Sequence, residues 1–541
     1  MTAVTICRDA RGWFTAVLAM VLFGWPGLLF ASESVDVPVG HWSYERVERL
    51  ASQGLCAGLG LGMRPVSRGW MADRIAEALQ VVREGEKEWA FSPETAYRIE
   101  EDLLRLSREF APELRDKGVP LAQEGTERQI GQSFEWKQMR FYGEWVSENI
   151  FTRFGRENTT SLLENSRGFR LRDGFNGRWS FPSWVGAGDW LGITFHPAVR
   201  ITADDSDTDL DFEEVSAKLA HRNVELKAGE LNFWWGPGYH GELLLTDNTR
   251  PLPGFSLRSK REFEFPWKLK VLGKWQAQLF GARLEEKRDV KHPFLSGYRL
   301  EWAKWKRFVA AASHTIVWGG AGEDEGLDTF FKVLDFTKAG AQYERPDHLF
   351  GADARLFLPE LSRWLKVSTG LELYGGFFAG DTRGFYIPAR PSYVGGFVLS
   401  DFLSIPKLDF RFEGAQTDSS AYEHHVYTSG TRFKNEFIGH HIGADADDFF
   451  IRMTKAFSFQ DRPFVLGAQF DRERQGVSGA ALSFGQTPQI KNEIQFDLTH
   501  QVTERIEVTV FYQFEDLNNF QGSTGIDSHN HIVFVATRLR L

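Results

Sequence analysis

Apolar and polar side chains alternate with a period of two through long stretches of this chain. In Phe169–Phe181, most odd positions are apolar and most even positions are polar. The segments Glu493–Thr499 and Arg505–Phe514 alternate in the same way, with a turn near His500 between them. Because successive side chains of a strand point to opposite faces, these segments predict antiparallel hairpins with one apolar and one polar face.

The extent of the alternating region, residues 135–541, favours a closed barrel. Several strands reach about ten residues, which is the span of a tilted membrane strand. The 47 Phe, 18 Trp, 12 Tyr and 52 Gly fit apolar outer positions and an aromatic girdle. A soluble sandwich or propeller has a similar composition, but closure removes the unpaired edges of so large a sheet. We therefore predict an all-β transmembrane antiparallel barrel of about 16–18 strands, preceded by a small α-helical region.

Both ends of the sequence fit an exported barrel. Arg8 and Arg11 precede an apolar run that ends near Ala31, which predicts a cleaved signal peptide over residues 1–31; an uncleaved anchor is the alternative. Cleavage would leave Cys56 as the single cysteine, so no internal disulfide is expected. Apolar residues alternate up to Leu541, as in outer-membrane barrels. The formal charge of −10 argues against nucleic acid as a partner.

Residues 32–125 have a helical pattern. Apolar residues recur at helical spacing in the first part, and a further helix is predicted from Pro93 to Phe110. Ser43 and Ser67 are expected to cap the first two helices.

The same region resembles a single S-layer homology motif. The matching residues are His41, Trp42, Tyr44, Leu50, Gly54, Arg64, Pro65, Ser67, Arg68, Met71 and Ala72. The resemblance implies a periplasmic region that contacts peptidoglycan or another cell-wall polymer through Trp42 and Arg68. The alternative is a helical bundle packed under the barrel.

Paired tryptophans, a Gly-Pro-Gly turn and several polar residues lie together in Trp234–Pro253. Such a mixture is expected where aromatic rings meet a polar cavity, because buried polar groups need partners. The segment resembles the signature of the Wzi-type capsule assembly family of outer-membrane barrels. The matching residues are Trp234, Trp235, Gly236, Pro237, Gly238, His240, Gly241, Leu243–Leu245, Asn248, Arg250, Pro251 and Pro253.

A second segment, Tyr422–Asp448, resembles the same family. The matching residues are Glu413 and Thr417 upstream, then Tyr422, His424, Tyr427, Gly430, Gly439, His440, Gly443 and Asp445. The resemblance covers residues 135–541. It implies an outer-membrane barrel with a periplasmic helical part, which binds capsular polysaccharide or exopolysaccharide and helps to attach it at the cell surface. The implied action is lectin-like and not catalytic.

The resemblance also implies which side chains meet the polysaccharide. Sugar rings stack on aromatic faces, and their hydroxyls bond to Arg, Asn and similar groups. The expected binding residues are Trp234, Trp235, His240, Asn248, Arg250, His424, Tyr427 and His440. The alternative is that this set seals the lumen through internal hydrogen bonds.

Three arginines on the first alternating segment, Arg170, Arg172 and Arg178, are expected to face the lumen. They would meet either an acidic polymer or carboxylates of the barrel itself.

Neither a metal site nor a catalytic site is predicted. The pairs His424-His425 and His440-His441 each place one ring on a given face of a strand, and with Asp445 they lack the spacing typical of metal ligands. The acidic runs Asp204–Asp211 and Asp445–Asp448 lack a regular calcium loop. No GxSxG or HExxH motif is present, so no enzyme and no cofactor are expected.

Other functions stay open at this point. An arginine-rich lumen also suits a porin that conducts anions or sugars, and the helical region suits a structural barrel that tethers the envelope. A lipid- or polysaccharide-modifying barrel enzyme is a further class. The sequence does not determine the polysaccharide, the strand number, the openness of the lumen or the oligomeric state.

Overall fold

The computed structural model describes residues 34–84, 93–120, 139–156, 161–162, 164–202, 209–326, 328–330, 346–383, 387–459, 462–478 and 487–540. The predicted signal peptide, Leu541 and most of the acidic run Asp204–Asp211 lie outside these residues. All described residues belong to one compact unit, residues 31–541. None of the helices within them is long and apolar enough to cross a membrane.

Eighteen antiparallel strands form a closed barrel within the described residues, which confirms the predicted fold class. Each strand pairs with the next along the chain, and the last pairs with the first, where Arg540 lies opposite Glu144. The barrel strands are β1 (Met139–Phe154), β2 (Gly174–Ser180, continued by Ser183–Ala187), β3 (Leu191–Thr202), β4 (Asp209–His221), β5 (Val224–Leu231), β6 (Leu252–Ser259, continued by Phe263–Glu264), β7 (Lys274–Arg283), β8 (Phe294–Trp305), β9 (Phe308–Trp318), β10 (Asp347–Phe357), β11 (Gly370–Ala379), β12 (Ser392–Ser400), β13 (Leu408–Thr417), β14 (Ala446–Phe459), β15 (Arg462–Gln475), β16 (Gln489–Gln501), β17 (Ile506–Asn518) and β18 (Ser528–Arg540).

The alternation in the sequence sets the two faces of the barrel. In β16, Ile494, Phe496 and Leu498 point outward, and Phe496 is 56% exposed. Glu493 of the same strand points inward and is 0% exposed. An apolar outer face and a polar interior are the arrangement of a membrane barrel.

The two ends of the barrel differ in their connections. At the end that carries Met139 and Arg540, here called the terminus end, several strands are joined by short turns such as residues 222–223 and 306–307. The opposite end is called the loop end. Its connections include residues 232–251, the first loop, and residues 418–445, the second loop. These two loops contain most of the two segments that resemble the capsule assembly family.

Four helices of the described residues precede the barrel and pack into its terminus end. They are α1 (Ser43–Ser52), α2 (Arg68–Glu84), α3 (Pro93–Glu109) and α4 (Ala111–Asp116). Their apolar core is completed by Ala303, Val309 and Phe357 of the barrel wall. Arg98 of α3 is 2% exposed at its side chain and forms ion pairs with Asp401, which directly follows β12, and with Asp409 of β13. The lumen is therefore occupied from this end.

The predicted helix caps have different outcomes. The hydroxyl of Ser67 accepts a hydrogen bond from the Trp70 amide (3.2 Å) and caps α2 as expected. The prediction for Ser43 was wrong, because Ser43 is the first residue of α1 and Trp42 takes the N-cap position without a side-chain bond. The Ser43 amide donates to Nδ1 of His41 instead (3.3 Å).

Large apolar side chains project from the terminus-end connections. Trp267 begins a short 3-10 helix, Trp267–Leu272, and is 90% exposed. Trp364 lies in a fifth helix, α5 (Pro359–Leu365), and is 77% exposed. Indole rings at such positions are typical of the interface between membrane and water.

Candidate functional site

The first loop folds back into the lumen and reaches the helical region. Trp234 and Trp235 pair with Arg64 and Met63, respectively, in a two-stranded antiparallel sheet. The Gly236 amide adds a hydrogen bond to the carbonyl of residue 62 (2.9 Å). Backbone hydrogen bonds therefore join the loop end of the barrel to the elements that fill its terminus end.

Both tryptophans are buried and held in place. Trp235 is 1% exposed, packs edge-on against Phe280 with ring centres 5.2 Å apart, and donates from Nε1 to Oε1 of Gln278 (2.9 Å). Trp234 donates from Nε1 to the carbonyl of Gly238 (3.2 Å). In this structure the two rings form part of the packing inside the barrel.

A carboxylate on the barrel wall holds the turn that follows the Gly-Pro-Gly sequence. Glu413 of β13 is 0% exposed and accepts hydrogen bonds from the amides of Tyr239 (2.7 Å), His240 (2.9 Å) and Gly241 (3.0 Å). The hydroxyl of Tyr374 on β11 donates to the same carboxylate (2.5 Å). Successive amides that converge on one anion form a concave anion site. Glu413 therefore fixes the first loop to the wall.

The Gly-Pro-Gly turn depends on a second buried carboxylate. Gly236 has a φ of +139°, and a Cβ at this position would lie 2.2 Å from the carboxylate of Glu242. Glu242 accepts a hydrogen bond from the Gly238 amide. Burial, and then the neighbouring charge of Asp353, raise the pKa of Glu242 well above its usual value. A larger residue at Gly236 would displace this bond.

The second loop covers the first. The side-chain amide of Asn248 donates to the carbonyl of Phe437 (3.2 Å). The hydroxyl of Tyr422 donates to the carbonyl of Leu243 (2.7 Å) and accepts from the amide of His440 (3.0 Å). Although about 170 residues apart in the chain, the two segments that resemble the capsule assembly family form one hydrogen-bonded unit.

Burial divides the predicted polysaccharide-binding residues into two groups. Arg250 and His424 are partly exposed at the loop end, and Arg250 forms an ion pair with Asp211 (3.0 Å). The other six are buried: Trp234, Trp235, His240, Asn248, Tyr427 and His440. The buried group shapes the loops from within, and the binding role of all eight residues stays a prediction.

The structure relocates two of the three arginines that were expected to face the lumen. Arg170 and Arg172 lie in the connection between β1 and β2, because β2 begins only at Gly174, whose φ is +99°. Arg170 is half-exposed there and pairs with Glu436 of the second loop (2.5 Å). Arg178 lies on β2 and forms an ion pair with the buried Glu213 (3.6 Å), which fits the alternative of pairing with lumen carboxylates.

The two residues predicted to contact the cell wall lie in unlike surroundings. Arg68 is buried and pairs with Glu109 (3.1 Å) and Glu113 (2.8 Å) of the helical region. Trp42 is partly exposed, and the guanidinium of Arg105 lies 4.3 Å from its ring centre. Trp42 also lines a cavity of about 630 Å³ at the terminus end. Contact with cell-wall polymer stays a prediction.

Sequence reasoning missed a buried polar cluster beneath the two loops. His240 of the first loop and His440 of the second lie close to Asp448 of β14 and Asp471 of β15. Burial, and then the adjacent rings of His441 and His240, lower the pKa of His440 well below its usual value. The available signal was a run of charged residues at inward positions: Asp471, Glu473, Lys491 and Glu493. Their pairing across strands cannot be read from one sequence.

Comparison with known proteins identifies relatives. The family model described as capsule assembly protein Wzi matches residues 150–532. An uncharacterised 55.8 kDa protein in the cps region of Klebsiella pneumoniae is 28% identical over 176 residues, which are 32% of this chain and 34% of that protein. The chain thus matches about a third of that relative's length.

A solved structure shares the fold. It is Wzi, an outer-membrane protein involved in group 1 capsule assembly in Escherichia coli, described as a carbohydrate-binding β-barrel. The alignment has a TM-score of 0.66 at 16% identity and covers 93% of this chain and 99% of that structure. Because the family model spans most of the sequence, including both loops and the cluster beneath them, this chain belongs to the capsule assembly protein Wzi family.

Proposed function

We propose that this protein binds capsular polysaccharide or exopolysaccharide at the outer membrane and helps to attach it at the cell surface. It acts by binding and not by catalysis. The observation that carries the proposal is a barrel of the Wzi family whose lumen is occupied from both ends, by helices at one end and by the two loops at the other. The description of the Escherichia coli protein as a carbohydrate-binding barrel supports it.

The barrel is oriented with its terminus end toward the periplasm in this proposal. Outer-membrane barrels have short turns on the periplasmic side and longer loops outside. Residues 222–223 and 306–307 form such short turns, whereas the first and second loops lie at the opposite end. Export by the predicted signal peptide would place the helical region in the periplasm and the apolar outer face in lipid.

The polysaccharide meets the exposed polar groups of the loop end. Arg170, Arg172 and His424 lie there with exposed or partly exposed side chains, and Arg250 is 28% exposed. Guanidinium groups bind carboxylates and hydroxyls of an acidic polymer through paired hydrogen bonds. The buried tryptophans and Asn248 serve this surface indirectly, by holding the loops in shape.

A complementation experiment tests the proposal. A deletion strain should lose most of its cell-associated polysaccharide to the medium, with unchanged total synthesis, and the wild-type gene should restore retention. The triple variant Arg170→Ala/Arg172→Ala/His424→Ala should restore it poorly. Arg505→Ala, at an exposed terminus-end turn, is the matched control and should restore it fully. Normal retention in the deletion strain would contradict the proposal.

Conductance separates this function from that of a porin. The purified barrel in a planar bilayer should show small or no steady channels, since packed elements occupy the lumen from both ends. Large, stable conductance steps in the wild-type protein would favour transport of anions or sugars instead.

A further inference from the structure

Two imidazoles and two carboxylates converge where the first and second loops meet the barrel wall. Nε2 of His240 lies 3.7 Å from Oδ2 of Asp448 and 3.6 Å from Oδ1 of Asp471. Nε2 of His440 lies 3.9 Å from the same oxygen of Asp448. The nearest ligand atoms of His240, Asp448 and Asp471 all lie within 4.8 Å of one another.

These polar atoms are buried and make no hydrogen bond within the part of the chain that the structure describes. They are Nε2 of both histidines and all four carboxylate oxygens of Asp448 and Asp471. The residues are between 0% and 6% exposed. Buried polar groups are normally hydrogen-bonded, and a group of them without partners in one place calls for an explanation.

The distances favour a shared ion over direct bonds. Separations of 3.6–3.9 Å are too long for hydrogen bonds between these groups. Around a tetrahedral ion with bonds of about 2.0–2.1 Å, neighbouring ligand atoms are about 3.4 Å apart. The separations of His240 from Asp448 and Asp471 exceed this value by only a few tenths of an ångström.

The charge around the cluster also favours a bound cation. Asp471 continues into a set of inward carboxylates that includes Glu473, Glu493 and Glu164, and Lys491 is the ammonium group among them. Among the described residues, Lys491 pairs with these four carboxylates, and Asp448 adds a fifth carboxylate to the group. Uncompensated buried charge is costly, and a bound cation would offset it.

We propose that His240, Asp448 and Asp471 bind one divalent transition-metal ion of the Zn²⁺ class, and that a movement of the His440 ring, whose Nε2 lies 3.9 Å from Asp448, supplies the fourth ligand. Mixed imidazole and carboxylate ligands suit Zn²⁺ and its neighbours, whereas Ca²⁺ and Mg²⁺ prefer oxygen alone. To bind a metal through Nε2, the neutral ring of His440 must carry its proton on Nδ1. Nδ1 lies 3.5 Å from the Ile442 amide, which is the limit of a hydrogen bond, so this contact does not prevent that tautomer.

The ion would join four elements of the fold. His240 comes from the first loop, His440 from the second, and the two aspartates from adjacent strands β14 and β15. Close approach of the loops is already arranged, because a Cβ on Gly241 would lie 2.4 Å from Nε2 of His440. Metal binding would therefore clasp both loops to the wall and stabilise the closed loop end.

The test uses the full-length barrel, purified in detergent without a histidine tag. After incubation with Zn²⁺ and gel filtration, elemental analysis should find about one equivalent per chain, and Zn²⁺ should raise the unfolding temperature relative to EDTA. Co²⁺ should give the intense visible bands of a tetrahedral site. His240→Ala and Asp471→Asn should each lower Zn²⁺ affinity by about 100-fold or more.

Matched controls lie beside the ligands. Asp447→Asn changes the residue next to Asp448 in the chain. Asp447 lies on the other face of β14 and pairs with Arg474 (2.5 Å). His425→Ala removes an exposed histidine of the second loop. Both controls should bind Zn²⁺ like the wild type, and heat-modified mobility on gels should show that every variant is folded.

Two results would overturn the proposal. One is wild-type protein that retains no Zn²⁺ and shows no shift in unfolding temperature. The other is folded His240→Ala and Asp471→Asn protein that binds as tightly as the controls. Neither result depends on the polysaccharide, so loss of the metal site and loss of the proposed function are distinguishable.

Discussion

Removal of the Glu413 carboxylate should release the first loop while leaving the barrel closed. Three backbone amides and the Tyr374 hydroxyl donate to this buried group, at 2.5–3.0 Å. A buried donor that loses its partner costs about 1–3 kcal/mol. For Glu413→Ala the three amides alone would cost about 3–9 kcal/mol, and water entering the vacated space favours the lower part of that range.

Hydrogen exchange measured by mass spectrometry would report this cost locally. A loss of about 4 kcal/mol corresponds to about a 1000-fold fall in protection of the amides at Tyr239, His240 and Gly241. Glu413→Gln keeps one acceptor oxygen and should lose about 1–3 kcal/mol, since its amide group faces the N–H of Tyr239.

The control for this prediction is Glu423→Ala, an exposed carboxylate of the second loop whose ion pair with Arg432 (3.7 Å) is worth about 0–1 kcal/mol. It should leave protection of the first loop unchanged, and amides of the barrel strands should stay protected in every variant. Protection within about threefold of wild type in Glu413→Ala would refute the reasoning, because it would mean that the amides find equal partners without the carboxylate.

Three further changes test separate parts of the structure. Burial raises the pKa of Asp247 in the first loop from 3.8 to about 6. The contribution of this carboxyl group to stability is therefore full below pH 4 and is lost as the pH rises through 6. Asp247→Asn should raise the free energy of unfolding in urea by up to about 3 kcal/mol at pH 7.5 and have little effect at pH 4. Gly241→Ala places a Cβ against the ring of His440 and should cost about 1–3 kcal/mol, seen as a lower unfolding temperature; an unchanged temperature would show that the ring moves freely. Arg98→Ala leaves the buried Asp401 without its ion pair and should cost about 3–5 kcal/mol, and proteolysis should then cut the helical region before the barrel.

The barrel itself could be predicted from the sequence because one periodic signal repeats along hundreds of residues. Outward Ile494, Phe496 and Leu498 were assigned correctly, since a strand of period two leaves only one choice of face. The same rule failed at Arg170 and Arg172. There the alternation extends upstream of Gly174, into the connection between β1 and β2, which lies outside the barrel wall.

The packing inside the barrel was much harder to predict from the sequence. The segment around Trp234 was recognisable, but its burial follows from contacts with Met63 and Glu413, which are far away in sequence. The cluster of His240, Asp448 and Asp471 was missed for the same reason. Its ligands come from a loop and two strands, and no local spacing of residues encodes which inward positions face each other.

The two-stranded sheet between Met63–Arg64 and Trp234–Trp235 links the first loop mechanically to the helical region. A polysaccharide chain that pulls on the first loop would exert force on these hydrogen bonds as well as on the covalent links to β5 and β6. Part of the force would pass through the lumen to the helices, and from Arg98 to the opposite rim of the wall. Tension applied on one side of the membrane would thus be distributed along the whole height of the barrel.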